Sequence, residues 1–259
     1  GTGGSALVSR ALGEKKPERA RQEFSLLVYF TIISGIVLTV LGIVLMEPVA
    51  RLLGAEGEMV DLCVLYGNII MAAQTAFMLQ SMFQSFFVTA EKPQLGLVCT
   101  LAAGITNMVL DWLFIVVLPW GLEGAALATA LSQVAGGVIP LFYFARPNSS
   151  CLRLSGTAFD GRALFLACTN GVSELVSNIS MSLVGLLFNV QLMAYAGENG
   201  VAAYGIIMYV DFIFLATFIG YSIGSSPVVS FHYGARNTDE LKNLLRKSVI
   251  IIGIASVSM

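Results

Sequence analysis

Charge is what this 259-residue chain most lacks: Asp, Glu, Lys and Arg make up 12% of it, against 56% hydrophobic residues and a mean hydropathy of +0.82. A soluble domain carries about 25% charged residues, so the chain cannot cover a water-facing surface, and a soluble globular fold is excluded. Histidine is nearly absent; the single His232 falls at the end of an apolar stretch and reads as an interfacial residue, not a proton relay. The four cysteines, Cys63, Cys99, Cys151 and Cys168, are scattered, with neither metal-ligand spacing nor a paired framework. No nucleophile-and-base arrangement, HExxH site or phosphate loop occurs, which argues against an enzyme. Basic residues are few and confined to loops, which removes any support for nucleic-acid binding. The sequence gives no sign of an obligate protein partner.

What the chain has in quantity is apolar runs. Stretches of about 20 such residues are long enough to cross a bilayer, and they recur at 26–46, 59–90, 95–118, 122–145, 163–196 and 200–232. A helix end is expected over 1–12 and the start of a last span near Leu244. Pro93, Pro119 and the turns Trp120-Gly121 and Gly197-Glu198-Asn199-Gly200 separate the runs. The expected class is an all-α polytopic membrane protein with six full spans and two partial ones. Outer-membrane barrels would show short alternating strands instead. The chain opens on Gly1 and stops at Met259 inside an apolar run too short to span, so both ends are expected to be cuts.

Basic residues set the orientation. Thirteen of the fourteen fall on alternate connections: five around the loop 13–23, Lys92 in 91–94, three in 146–162, and four in 232–247. Only Arg51 lies on the other side, whose loops are short and acidic. The basic side is therefore expected to face the cytoplasm, where its charges meet anionic headgroups.

Two cytoplasmic segments echo each other at a constant offset of 221. Gly3, Ser5, Val8, Ser9 and Gly13 meet Gly224, Ser226, Val229, Ser230 and Gly234, and Lys15, Glu18 and Arg21 meet Arg236, Asp239 and Lys242. Chance and shared helix-end chemistry are the competing explanation. Six spans separate the copies, and an even number implies a parallel repeat about an axis along the membrane normal. Two six-helix halves follow. The small-residue runs Gly3-Gly4-Ser5, Gly136-Gly137 and Gly224-Ser225-Ser226 read as close-packing sites in preference to ligand sites.

Three segments carry a resemblance: Ala90-Glu91-Lys92-Pro93, then Asn107-Met108-Val109-Leu110-Asp111-Trp112-Leu113-Phe114-Ile115, then Gly121-Leu122-Glu123-Gly124-Ala125-Ala126-Leu127-Ala128-Thr129. Together they closely resemble the MATE (multidrug and toxic compound extrusion) transporters. The segments 220–224 and 231–235 resemble the family's eighth helix and following loop, and 170–175 its seventh helix in bacterial members. The resemblance implies a twelve-helix, two-lobe fold, of which this chain holds the end of helix two into helix nine. Residues 1–145 would form most of the N-terminal lobe, 146–162 the cytoplasmic linker, and 163–259 the start of the C-terminal lobe. The implied setting is a bacterial cytoplasmic membrane.

Carboxylates within apolar spans are costly unless paired, hydrated or protonated, so Asp111, Glu174 and Asp211 are candidates for function. No basic residue lies inside a span to neutralise them. Helical spacing puts Asn170, Glu174 and Asn178 on one face with Ser173 and Ser177 beside it. Such an oxygen-rich set suits Na⁺, and a lone carboxylate suits a proton; a structural acid bonded across helices is the alternative. The resemblance implies that Glu174 serves the coupling ion, with no other cofactor. Asp111 either contacts cargo or fixes helix packing. Asp211 shares a face with Tyr204 and Met208, where family members often have a neutral amide. Gln74, Gln80, Gln84 and Met78 either line a cavity for apolar cations or tie helices together.

The implied function is export of organic cations by Na⁺ or H⁺ antiport through alternating access. A lipid-linked oligosaccharide flippase of the same superfamily is the nearest alternative, although a pyrophosphate cargo calls for buried basic residues that the spans lack. A membrane receptor or non-transporting interaction protein is the remote one.

Overall fold

Apolar runs of this length in hydrocarbon must satisfy every backbone N–H and C=O internally, which leaves the helix as the only solution for non-barrel chains. The computed structural model describes residues 1–258 and is helical almost throughout. Met259 lies outside the described residues, as do the side chains of Glu198, Asn199 and Ser258. The helices are α1 (Thr2–Gly13), α2 (Pro17–Leu52), α3 (Glu58–Thr89), α4 (Pro93–Asp111), α5 (Gly121–Ala145), α6 (Gly161–Gly197), α7 (Gly200–Gly234) and α8 (Thr238–Ser258). Six of them, α2 to α7, are long and apolar enough to cross a membrane. The protein is an all-α polytopic membrane protein.

Most expected boundaries fall within three residues of these bounds. The exceptions are α2, which begins nine residues before and ends six after the run 26–46, α8, which begins six residues before Leu244, and α4, whose regular helix stops seven residues short of 118. Hydropathy is blind to a helix that continues into water. Pro17 at the first helical position, the pair Arg19–Glu23 at 2.8 Å and the pair Arg21–Glu18 at 3.3 Å sustain that extension of α2. α3, with 32 residues, is about 48 Å long against a hydrocarbon core of about 30 Å. α6 and α7 meet at Gly197, whose φ of 63° and ψ of −160° break the helix where the Gly-Glu-Asn-Gly turn was expected. α4 ends in a widened π-helical turn, Trp112–Val117, directly after Asp111.

Two compact units emerge. The first is Pro17–Asp160 with Gly1. Here α3 packs against α2 and α5 through small residues: Gly35 faces Thr75, Gly42 faces Met71, and Gly137 lies against Ala76. Phe24, Phe83, Phe86, Phe87 and Phe144 close one end, with Phe24 edge-on to Phe86 at 4.9 Å and Phe83 stacked on Phe144 at 5.4 Å. The linker after α5 folds back over this cluster. Leu152 is fully buried, Leu154 N–H donates to Phe144 O at 2.9 Å, and Ser155 N–H donates to Ser25 Oγ at 3.0 Å.

The second unit joins Thr2–Lys16 to the chain from Gly161 onward. α1 runs along α6 and α7, and the echoed residues meet there. A methyl group on Gly13 would overlap the carbonyl of Phe231 and sit 3.0 Å from Ala235 N. A methyl group on Gly234 would overlap the carbonyl of Arg10, 3.1 Å from its Cα. Under the offset of 221, Gly13 corresponds to Gly234 and Arg10 to Phe231, so the contact is its own mirror under a two-fold operation. Helix-end chemistry alone does not produce this. The left-handed residues Lys15 and Arg236, and the bonds Lys16 N–H to Ala11 O and Asn237 N–H to His232 O, also correspond. Yet Glu91 and Lys92 end α3 in the same way. The reciprocal glycine crossing is what the α3 end lacks.

Candidate functional site

α1, α6 and α7 line an open cavity of about 380 Å³ within the second unit, and Glu174 is exposed in it. Small residues make the opening: Thr2, Gly3 and Ala6 face it from α1, and Gly3 brings α1 so close to α6 that a methyl there would meet Gly171 N at 2.7 Å. α6 contributes Asn170, Ser173, Glu174 and Ser177, which share a face by their helical spacing. α7 contributes Ser222 and Ser226, one turn apart, with Ile219 and Ile223 between and before them. Every polar lining group is neutral except Glu174.

Glu174 accepts a hydrogen bond from the hydroxyl of Thr2. Ser177 Oγ donates back to Ser173 O at 2.9 Å, which leaves its lone pairs available to a cation. Pro227 has no N–H, so the carbonyl of Ile223, four residues earlier, loses its regular helical donor beside the cavity. One carboxylate among hydroxyl, amide and carbonyl oxygens, with no lysine or arginine, is a donor set for a small hard cation or a proton.

The other expected residues lie elsewhere. Asn178 follows Glu174 by one turn, and its Nδ2 donates to Glu174 O at 2.9 Å instead of lining the cavity. Asp211 lies on the face of α7 that carries Ser222, three turns away, about 16 Å along the axis. Gln74, Met78, Gln80 and Gln84 are half-buried on α3 in the first unit, where Gln80 lies against Gly136 of α5. Asp111 is the last regular residue of α4 in that unit. Among the described residues, no group of three His, Cys, Asp or Glu side chains is placed to hold a metal ion.

Thr2, Ser222, Ser226 and the Ile223 carbonyl are absent from the expected set. Their signals were a serine pair at i, i+4 and a proline inside an apolar span. The glycines around them are unequal: Gly3 is tightly packed, whereas nothing lies within 4 Å of a methyl group on its counterpart Gly224.

Comparison with known proteins bears on this arrangement. The sequence matches the family described as MatE over residues 1–113 and 175–259. It is 26% identical to the multidrug export protein MepA of Staphylococcus saprophyticus over 265 residues, which takes in 99% of this chain and 58% of the relative. It is 24% identical to MepA of Staphylococcus aureus strain N315 over 263 residues, 99% of this chain and 57% of the relative. The chain thus spans little more than half the length of these curated relatives. The fold matches an outward-facing multidrug resistance MATE family transporter with a TM-score of 0.90 at 22% identity, over 99% of this chain and 57% of that one. It also matches a MOP superfamily transporter from Pyrococcus furiosus, described as having a binding pocket of reverse polarity, with a TM-score of 0.91 at 21% identity and the same coverage.

Proposed function

Since the chain belongs to the MatE family, whose members are transporters and not enzymes, we propose that the whole protein exports organic cations and drugs by antiport with Na⁺ or H⁺. The observation that carries this reading is Glu174, an acid within an apolar span that faces an oxygen-lined cavity with no lysine or arginine among its lining residues. The reading also draws on the multidrug export relatives.

Glu174 binds the coupling ion, with Asn170 in the same cavity and Asn178 steadying the next turn. Asp211, Gln74, Gln80, Gln84, Met78 and Asp111 are the candidates for contact with cargo. Residues 1–145 and 163–259 belong to successive lobes joined by the linker 146–162, and the protein resides in a bacterial cytoplasmic membrane with its basic loops inside. A lobe is a unit of duplication and a compact unit is a matter of contact, so α1 can belong to the first lobe and pack with the second unit.

Antiport requires the ion to favour one of two states by differential affinity. The Thr2–Glu174 hydrogen bond supplies a difference, because a cation or proton on Glu174 competes with that hydroxyl for the carboxylate. The test is efflux of a cationic dye from vesicles holding the full-length parent, driven by an imposed Na⁺ or H⁺ gradient. Glu174→Gln is expected to abolish gradient-driven efflux; full retention overturns the assignment.

A further inference from the structure

A second cavity of about 840 Å³ lies where the cytoplasmic ends of α1 and α7 cross. Arg10, Lys16 and Arg236 bring three positive charges to it, and Glu14 one negative. Glu14 accepts hydrogen bonds from Lys16 at 2.9 Å and Arg10 at 3.1 Å, which hold its carboxyl below the usual carboxylate range and keep it ionised. The cavity therefore carries two net positive charges. Among the described residues, no carboxylate pairs with Arg236.

The cations are positioned by structure on both sides. The Arg10 guanidinium lies over the Tyr233 ring, 5.5 Å from its centre. Arg236 occupies a left-handed backbone position, fixed by its N–H bond to Tyr233 O at 3.1 Å. The Gly13–Gly234 crossing holds the two chain segments together. Leu241 and the exposed Tyr233 give the cavity an apolar edge.

We propose that this cavity binds a phosphate group, carried by an anionic lipid headgroup or free in the cytoplasm, through Arg10, Lys16 and Arg236. Guanidinium forks match phosphate oxygens in bidentate fashion. Arg10 precedes the first spans and Arg236 follows the sixth, so one bound phosphate bridges the two copies of the repeat. Binding is read without transport, so this site stands or falls apart from the antiport reading.

The experiment titrates the purified full chain in uncharged detergent with phosphatidylglycerol, phosphatidylcholine or inorganic phosphate and follows its thermal midpoint. Phosphatidylglycerol is expected to raise the midpoint saturably, and phosphatidylcholine is not. The same rise with inorganic phosphate identifies the soluble source, and its absence the lipid. Each basic residue removed weakens binding about fivefold, so R10Q/R236Q raises the half-saturating concentration about 25-fold. Lys16 lies beyond the end of α1 and is more than half exposed, so K16Q spares the fold and should weaken binding about fivefold. R51Q, in the first compact unit and outside the cavity lining, should leave it unchanged. Equal affinity in K16Q and the native chain, or equal responses to both lipids without a phosphate response, overturns the site.

Discussion

A reciprocal contact predicts reciprocal and non-additive damage. Gly13→Ala puts a methyl group into the carbonyl of Phe231 and 3.0 Å from Ala235 N, where ordinary contact begins at 3.4 Å. The neighbouring atoms are backbone, so no side chain can swing aside, and the α1 and α7 backbones must part by about 1 Å. A gap of that size forfeits up to roughly half of each dispersion contact along the crossing. Overpacking of this kind costs about 1–3 kcal/mol, which exceeds the gain of about 1 kcal/mol from replacing a helical glycine by alanine. Gly234→Ala meets the Arg10 carbonyl in the same way and should cost the same. Once either substitution has parted the helices, the second finds the room already made. The double variant should therefore lose markedly less than the two single losses combined. The assay is thermal unfolding of the purified chain, with midpoints lowered on the order of 5 °C by each single variant. Gly205→Ala is the control, since nothing lies within 4 Å of a methyl group there, and it should be neutral or stabilising. Additive losses, or neutrality of either substitution, would refute a shared crossing.

Three further outcomes test other parts of the structure. Leu152→Ala, at a fully buried side chain of the linker, should cost about 2–5 kcal/mol in the unfolding of the chain, whereas a solvated connector would register nothing. Burial raises the pKa of the Cys151 thiol, with the nearby Glu91 carboxylate adding to the effect, so alkylation by iodoacetamide at pH 8 should lag well behind that of an unfolded control and accelerate as pH rises. Glu14→Gln removes the one negative charge of the cationic cavity and should tighten phosphatidylglycerol binding severalfold. In the native chain the same tightening should emerge only at acid pH, because a lowered pKa keeps Glu14 charged until pH falls through that value.

The number of spanning helices was legible because it rests on a property carried by single residues. Six apolar runs long enough to cross a bilayer stand out whatever their side chains touch. The reach of α2 into Pro17–Ser25 was not legible from hydropathy, since charged i, i+4 pairs extend a helix without apolar content. The packing of the linker was hidden for a related reason. Leu152 is one apolar residue among polar ones, and its burial depends on a phenylalanine cluster assembled from three distant helices. At the cavity, Glu174 stood out because an acid in an apolar span is rare. Ser222, Ser226 and Thr2 did not, because hydroxyl residues are unremarkable in spans until the partner helix is known.

The echo and the cavity are parts of one construction. α1 crosses α7 at Gly13 and reaches α6 at Gly3, so a single short helix connects the symmetric contact to the carboxylate. Its C-terminal end is held by backbone shape, glycine against carbonyl. Its other end is held to α6 by close packing at Gly3 and by one polar bond, Thr2 to Glu174. Packing contacts ignore the charge of a neighbouring acid, but the polar bond does not. A proton placed on Glu174 turns an acceptor-only group into one that also donates, and a cation on it satisfies the lone pairs that the Thr2 hydroxyl uses. Either event weakens one attachment of α1 and leaves the other two intact. If Glu174 takes the coupling ion as proposed, α1 is expected to pivot about its glycine crossing, because a close-packed contact resists separation far more than it resists small rotation. On that reading the acid biases the helix directly, with no long chain of intermediates.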